Sequence, residues 1–344
     1  MKAKLNSLLA VSLLLMLSSV LFAANTPSYK VTDHFIVGGD GGWDYLTYDA
    51  DEARLFITRG THVMVLNAAT GKALGDIPDT LGVHGVALAT DLGVGAISNG
   101  KAGTVTLFDL KSLKKTGEVK VGSKPDAIIY DPFSHHVFVF NGDSHDTTVI
   151  DPAKAAVVAT IALNGAPEFA ATDLRGHVFV NLEDKSEVVE IDATKNAVRA
   201  HWPLKGCEDP SGLAFDAKNN RIFSVCSNQV MTVLDAVSGK LVTTVPIGKR
   251  PDAAAFDQET KLVFSSNGDG TMTVVHQDSA DKYTVVQTVS TAIGARTLAL
   301  DPKSHKIYLV TAKFGATPAP TAEQPRPRPA MIPDSCEVMV VGKK

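Results

Sequence analysis

Seven positions spaced roughly 42 residues apart carry residue types from which a binding or catalytic site is made. They are Asp44, His84, Asp126, Glu168, Ser211, Asp252 and Arg296. Four carboxylates against one guanidinium leave a formal sum of −3 with histidine neutral. Gathered around one axis, such a set either raises carboxylate pKa values or recruits a cation. His84, Asp126 and Glu168 form the best metal-ligating subset. One imidazole with hard oxygens suits Ca, Mn or Zn without choosing among them. A carboxylate pair with Arg296 as anion anchor is the catalytic alternative. The plainer alternative is a set of solvated strand starts, since Asp after Pro is a common turn choice.

These positions are found by counting five residues back from a repeated pattern. A small–large apolar pair leads into Asp, a turn follows, and an apolar–aromatic pair comes next. Asp49, Asp131, Asp173, Asp216, Asp257 and Asp301 mark six copies, and Ala89 stands in the remaining one. A fixed period of this length means supersecondary units stacked around a shared core. The repeated Asp is a turn device that bonds its own backbone and carries no function. Asn99, Asn141 and Asn267, at the ends of second strands, read the same way. The pair His135 and His136 falls in a turn on the opposite face and reads as solvated.

Each unit holds four short runs rich in Val, Ile, Thr and Phe, punctuated by Gly, Asn, Asp and Pro. Such runs are strands, and no long helical periodicity follows the N-terminal segment. Four strands per unit at this period form a β-propeller blade. The expected fold is therefore all-β, a seven-bladed propeller of four-stranded antiparallel blades. Two residues before the Asp, Ala occupies five of the seven units, which fits a crowded innermost strand. In the next strand Phe56, Phe138, Phe179, Phe223, Phe264 and Tyr308 share one position, and Ala96 breaks the series. Those rings are expected to pack between adjacent blades at roughly 2–3 kcal/mol each. The last unit lacks a fourth strand, and the orphan run Tyr29–Val37 beside Val338–Val341 would supply it. Ring closure removes the exposed edges.

Residues 1–24 read as a secretory signal peptide. Lys2 and Lys4 are basic, Leu8–Phe22 is apolar, and Ala23-Ala24 offers small residues for cleavage. An uncleaved anchor is the alternative. No later stretch is apolar enough to span a bilayer. Residues 25–344 are then one propeller domain, periplasmic or secreted and expected to be monomeric. Loss of the two leader lysines takes the formal charge from −4 to −6, which gives nucleic acid no electrostatic handle. Residues 313–335 form a Pro-rich insertion in blade seven, with six of the chain's 17 prolines between Pro318 and Pro333. It is either a surface loop or an arm over the channel. Cys207 and Cys226 fall almost opposite each other on antiparallel neighbours, which points to a disulfide. Cys336 is then unpaired. Nucleophile-elbow, zincin, phosphate-loop and dinucleotide motifs do not occur.

Several motifs resemble the YVTN-repeat β-propellers, a family of exported bacterial seven-bladed propellers of WD-repeat style. They are Gly122-Ser123-Lys124-Pro125-Asp126, Gly248-Lys249-Arg250-Pro251-Asp252, Val139-Phe140-Asn141-Gly142 and Asn67-Ala68-Ala69-Thr70-Gly71-Lys72. They stand where that family has its Gly-x-x-Pro strand start, its Tyr-Val-(Ala/Thr)-Asn strand and its Thr-Gly turn. The full Tyr-Val-Thr-Asn tetrapeptide occurs nowhere. The resemblance covers residues 29–344 and implies a fold more than an activity.

The leading expectation is a non-enzymatic binding or scaffold propeller of the cell envelope. Its ligand, a small molecule or an envelope protein, would sit at the acidic mouth and the Pro-rich arm. No cofactor is required, and a divalent cation at the mouth is the one the ring admits. A metal-dependent lactonase- or lyase-type enzyme, or an accessory to a periplasmic dehydrogenase, is the second reading. Single-stranded DNA binding, implied by the resemblance, is the third, and the acidic mouth argues against it.

Overall fold

A computed structural model describes residues 28–344 other than 40, 322, 323, 325, 326 and 328. The expected signal peptide lies outside the described residues. The described chain forms seven four-stranded antiparallel sheets and two short 3₁₀ turns. In six of them the strands follow chain order from the axis outward, starting at Leu46–Asp49, Val83–Ala89, Pro125–Asp131, Pro167–Thr172, Pro210–Asp216 and Pro251–Asp257. The seventh takes Leu298–Asp301, Lys306–Thr311 and Glu337–Lys343 from the end of the chain, and its outer strand is Tyr29–Ile36 from the beginning. The innermost strands of neighbouring blades touch all the way round, blade seven against blade one included. The fold is a closed seven-bladed β-propeller. Among the described residues no helix is long and apolar enough to cross a membrane.

Closure is a continuous antiparallel ladder. Tyr29 pairs with Lys343, and Ile36 pairs with Glu337. Tyr29 is buried and meets Phe264 of blade six edge-on, with ring centroids 5.2 Å apart. The chain then passes through a glycine-rich link into blade one. Arg59, only 1% exposed, holds that link by donating to the carbonyls of Gly38, Gly39 and Gly41.

The aromatic column packs as its spacing implies. Phe56 meets Phe108 of the next blade, Phe179 stacks on Phe215, Phe223 meets Phe256, and Tyr308 stacks on Tyr48. The break at Ala96 has a local cause. Phe108 comes from the third strand of the same blade and lies over Gly95, where a Cβ would sit 2.0 Å from its ring. One ring thus replaces another by a different route.

All six repeated aspartates are buried. Asp49 accepts the amides of Asp51 and Glu52, Asp216 those of Lys218 and Asn219, and Asp257 those of Glu259 and Thr260. Each side chain closes the turn that follows its own strand. The Asn column is structural too. Asn99, Asn141 and Asn267 donate to Thr106, Thr148 and Thr273 of the adjoining third strand.

Cys207 and Cys226 form a disulfide with Cα atoms 5.4 Å apart, and Cys336 is a buried free thiol. The bond spans a sequence separation of 19. Reduction, or Cys226→Ser, is expected to lower stability by about 3 kcal/mol, read from denaturant midpoints with and without reductant. Phe223→Ala should lower it by about 3–5 kcal/mol in the same assay, since a buried inter-blade ring leaves a cavity that rigid sheets cannot fill.

Candidate functional site

A backbone irregularity aims five of the seven positions at the channel. In blade three Pro125 pairs with Asn141, and pairing resumes only at Ile128 with Val139. The same slip follows Val83, Pro167, Pro210 and Pro251. Each slip is a β-bulge, which turns the residue after it out of the pleat. That residue is His84, Asp126, Glu168, Ser211 or Asp252. Buried side chains fix these strand starts from the neighbouring blade. Ser98 donates to the Asp126 carbonyl at 2.5 Å, Asn181 to the Ser211 carbonyl at 2.6 Å, and Ser266 to the Arg296 carbonyl.

The ring divides into two bonded halves. His84 Nδ1 lies 2.5 Å from Asp44 Oδ2 and 3.4 Å from Asp126 Oδ1. Arg296 donates to Asp252 and stands 3.8 Å from Asp44 Oδ1. Asp44 therefore joins both halves. Lys124 Nζ reaches to 4.0 Å from Asp126 Oδ2. Ser211 is turned to a structural task, donating to the Asp252 carbonyl at 2.8 Å. Glu168 stands apart, with neither an ion pair nor a side-chain hydrogen bond among the described residues.

Among the described residues at this mouth, Asp44, His84 and Asp126 have ligand atoms mutually within 4.8 Å. Spacing along the chain joins His84 and Asp126 to Glu168, and in the structure the ligand atoms closest to those two belong to Asp44. Blades one, two and three are consecutive, and Asp44 approaches His84 from the side opposite Asp126. That neighbour across His84 is not visible in a linear pairing of Asp126 with the next unit.

Burial shapes the electrostatics. Burial, reinforced by Asp126, Glu183, Asp252 and Asp44, pushes the Glu168 carboxyl up to about 9. Asp252 is raised to about 7 by burial and by Asp44 and Asp126, against the pull of Arg296. Asp126 is also raised, chiefly by burial, although His84 opposes the rise. Burial works against a charge on His84, but the Asp44 hydrogen bond and the Asp126 charge outweigh it, and the imidazole pKa rises.

Two residues outside the ring complete the site. Tyr45 follows Asp44, and Phe169 follows Glu168. Their rings meet across the axis from blades one and four, with centroids 4.5 Å apart. They lie across the channel beneath the polar cup, and a largely apolar cavity of about 410 Å³ opens below them, walled by residues such as Val86, Ala127, Ile128 and Ala170. The Tyr45 hydroxyl is buried and makes no hydrogen bond. Burial and then the charges of Glu168, Asp126, Asp44 and Asp252 hold its pKa well above the usual value. A signal for this pair existed. The position after the ring residue reads Tyr45, Gly85, Ala127, Phe169, Gly212, Ala253 and Thr297, two large rings among small residues.

The Pro-rich insertion is rooted beside the cup. Phe314 bridges Met331, Gly315 donates to the Ala330 carbonyl, and Phe314 lies 6.0 Å from Trp43, next to Asp44. A further groove of about 380 Å³ lies between blades four and five. Its arginines are already satisfied, Arg199 by Glu190 at 2.9 Å and Arg175 by Asp173 at 3.5 Å.

Fold and site together define a seven-bladed propeller with two rings meeting across its channel and a titratable cup at its mouth. No protein-family model matches the chain, and no curated protein matches it. Solved structures do. The chain is similar to one from Kuenenia stuttgartiensis hydrazine synthase at 18% identity and TM-score 0.67, covering 78% of this chain and 92% of that one. It is also similar to a chain of a mitotic checkpoint complex at 13% identity and TM-score 0.74, covering 99% of this chain and 98% of that one. At such identities the likeness is one of fold alone.

Glu168 gives the site a pH signature. A carboxyl raised in the folded state contributes stability that is complete below its unfolded pKa near 4.5 and is lost as pH rises through about 9. Glu168→Gln should therefore raise the melting temperature at pH 8 by about 2–4 °C and change it little at pH 4. Thermal melts of both proteins at the two pH values check this.

Proposed function

We propose that this protein is an exported binding propeller of the cell envelope that holds a cationic ligand in the cup at its channel mouth. One observation carries the reading. Four carboxylates from four blades converge on a cup floored by Tyr45 and Phe169, and among the described residues Glu168 in that cup has neither an ion pair nor a side-chain hydrogen bond. A closed cup retains a ligand where an open channel would pass it. A carboxyl without a partner is a group left for a ligand to satisfy. The fold supports a binding role, since propellers present residues from every blade at one end of the axis. The Cys207–Cys226 disulfide supports an oxidising compartment.

The chemistry of the cup selects cations. An arriving ammonium group would favour the ionised form of Glu168, exchanging a proton for the ligand's charge. Arg296, held by Asp252, leaves its flank of the cup less negative and orients the ligand's charge toward Glu168 and Asp44.

Calorimetric titration with short alkyl diamines checks the reading. Binding is expected to tighten from pH 6.5 to 8.5, by at most about tenfold per pH unit, as the Glu168 proton is displaced more easily. Glu168→Gln should weaken binding about tenfold and flatten that dependence. Absence of diamine and metal-ion binding alike across this range would overturn the proposal.

A further inference from the structure

We propose that Asp44, His84 and Asp126 form a binding site for a first-row divalent transition-metal ion. The proposal names one ligand class for the cup and rests on the mouth reading above. Three ligand atoms from three blades already face a common point. His84 Nδ1 is addressed by two carboxylate oxygens, at 2.5 Å from Asp44 and 3.4 Å from Asp126. In the present geometry that point is the place of a shared proton. Zinc bonds of about 2.0–2.1 Å in a tetrahedral set put neighbouring ligand atoms about 3.3 Å apart. The Asp126 oxygen already stands at that separation from the nitrogen. Asp44 has to withdraw from the nitrogen by a little under about 1 Å, which a side-chain rotation supplies.

The supports of the trio are rigid. His84 is backed by Gly100, where a Cβ would lie 2.6 Å from Nε2, so the imidazole fits only because position 100 has no side chain. The Asp126 backbone is held by Ser98, and the Asp44 amide donates to Thr58 Oγ1 at 3.2 Å. Preorganised ligands on strand starts lose little freedom when an ion arrives.

A second, independent feature points to the same occupant. The Tyr45 hydroxyl is buried in the floor of the cup and has no hydrogen-bond partner among the described residues. A buried hydroxyl left unpaired is unfavourable by about 1–3 kcal/mol and calls for an acceptor. Three protein ligands leave one metal position open, and a water or ligand oxygen held there would accept from Tyr45. The donor set chooses the ion class. An imidazole with only two carboxylates suits zinc, cobalt or manganese, whereas calcium takes six to eight oxygens.

The test uses the full chain stripped with EDTA. Zn²⁺ titration should show one ion per chain with a Kd below about 10 µM, and Ca²⁺ and Mg²⁺ should bind far more weakly. Co²⁺ should give a visible ligand-field band. His84→Gln and Asp126→Asn, each checked for an unchanged melting curve, should weaken Zn²⁺ at least tenfold and remove the band. Glu168→Gln should leave Zn²⁺ affinity within about threefold. A missing band, or one that survives in both folded variants, overturns the proposal and places any bound ion on other histidines. Diamine binding without Zn²⁺ binding overturns the metal site alone and leaves the mouth reading standing. Loss of both overturns the two together.

Discussion

Everything in this molecule depends on one ladder, the antiparallel pairing of Tyr29–Ile36 with Glu337–Lys343. A blade by itself has two apolar faces and two open edges. Neighbours cover the faces, and only a closed ring gives every blade a neighbour on both sides. Because the outer strand of blade seven comes from the start of the chain, the closure is held by residues at opposite ends of the sequence. Tyr29 on Phe264 and Arg59 on the glycine link secure it from the two sides. Without this pairing blade seven would lack its outer strand and leave Glu337–Lys343 as an open edge.

Closure fixes the distance across the axis, and that distance produces the site. Seven blades leave a channel too wide for main chain to fill and narrow enough for two rings to bridge. Tyr45 and Phe169 bridge it. The floor they make covers the ring residues from beneath, and the strand starts gather the carboxylates above it. Desolvation and mutual repulsion then act in one direction, raising Glu168, Asp252 and Asp126 together. The cup stores this unfavourable electrostatics because the blades that create it are held by burial elsewhere, at the aromatic seams. Structure and function are thus separated by radius. Stability lies between the blades, and the chemistry lies on the axis.

The Pro-rich insertion adds asymmetry to a repetitive frame. Its root packs against Trp43, beside Asp44, so it approaches the cup from the side of blades one and seven. That is also the side on which Asp44 links the two halves of the ring. The opposite side, around Glu168 and Ser211, carries no comparable cover among the described residues.

Much was legible in the chain alone, because repetition reports on local physics seven times over. The recurring Asp residues spell a turn, the alternating Ala and aromatic positions spell a crowded inner strand and a packed seam, and the incomplete last unit spells closure by the first strand. The cysteine pairing was legible because both residues lie within one blade, where register follows from a short turn. Tertiary structure alone decided what meets across the axis. Tyr45 meets Phe169 three blades away, and at the rim Asp44 stands with His84 and Asp126. The physical reason is geometric. Strand pairing is a rule between neighbours in sequence, whereas convergence on an axis depends on the number of blades, their tilt and the reach of each side chain. Those quantities are set only when the ring closes.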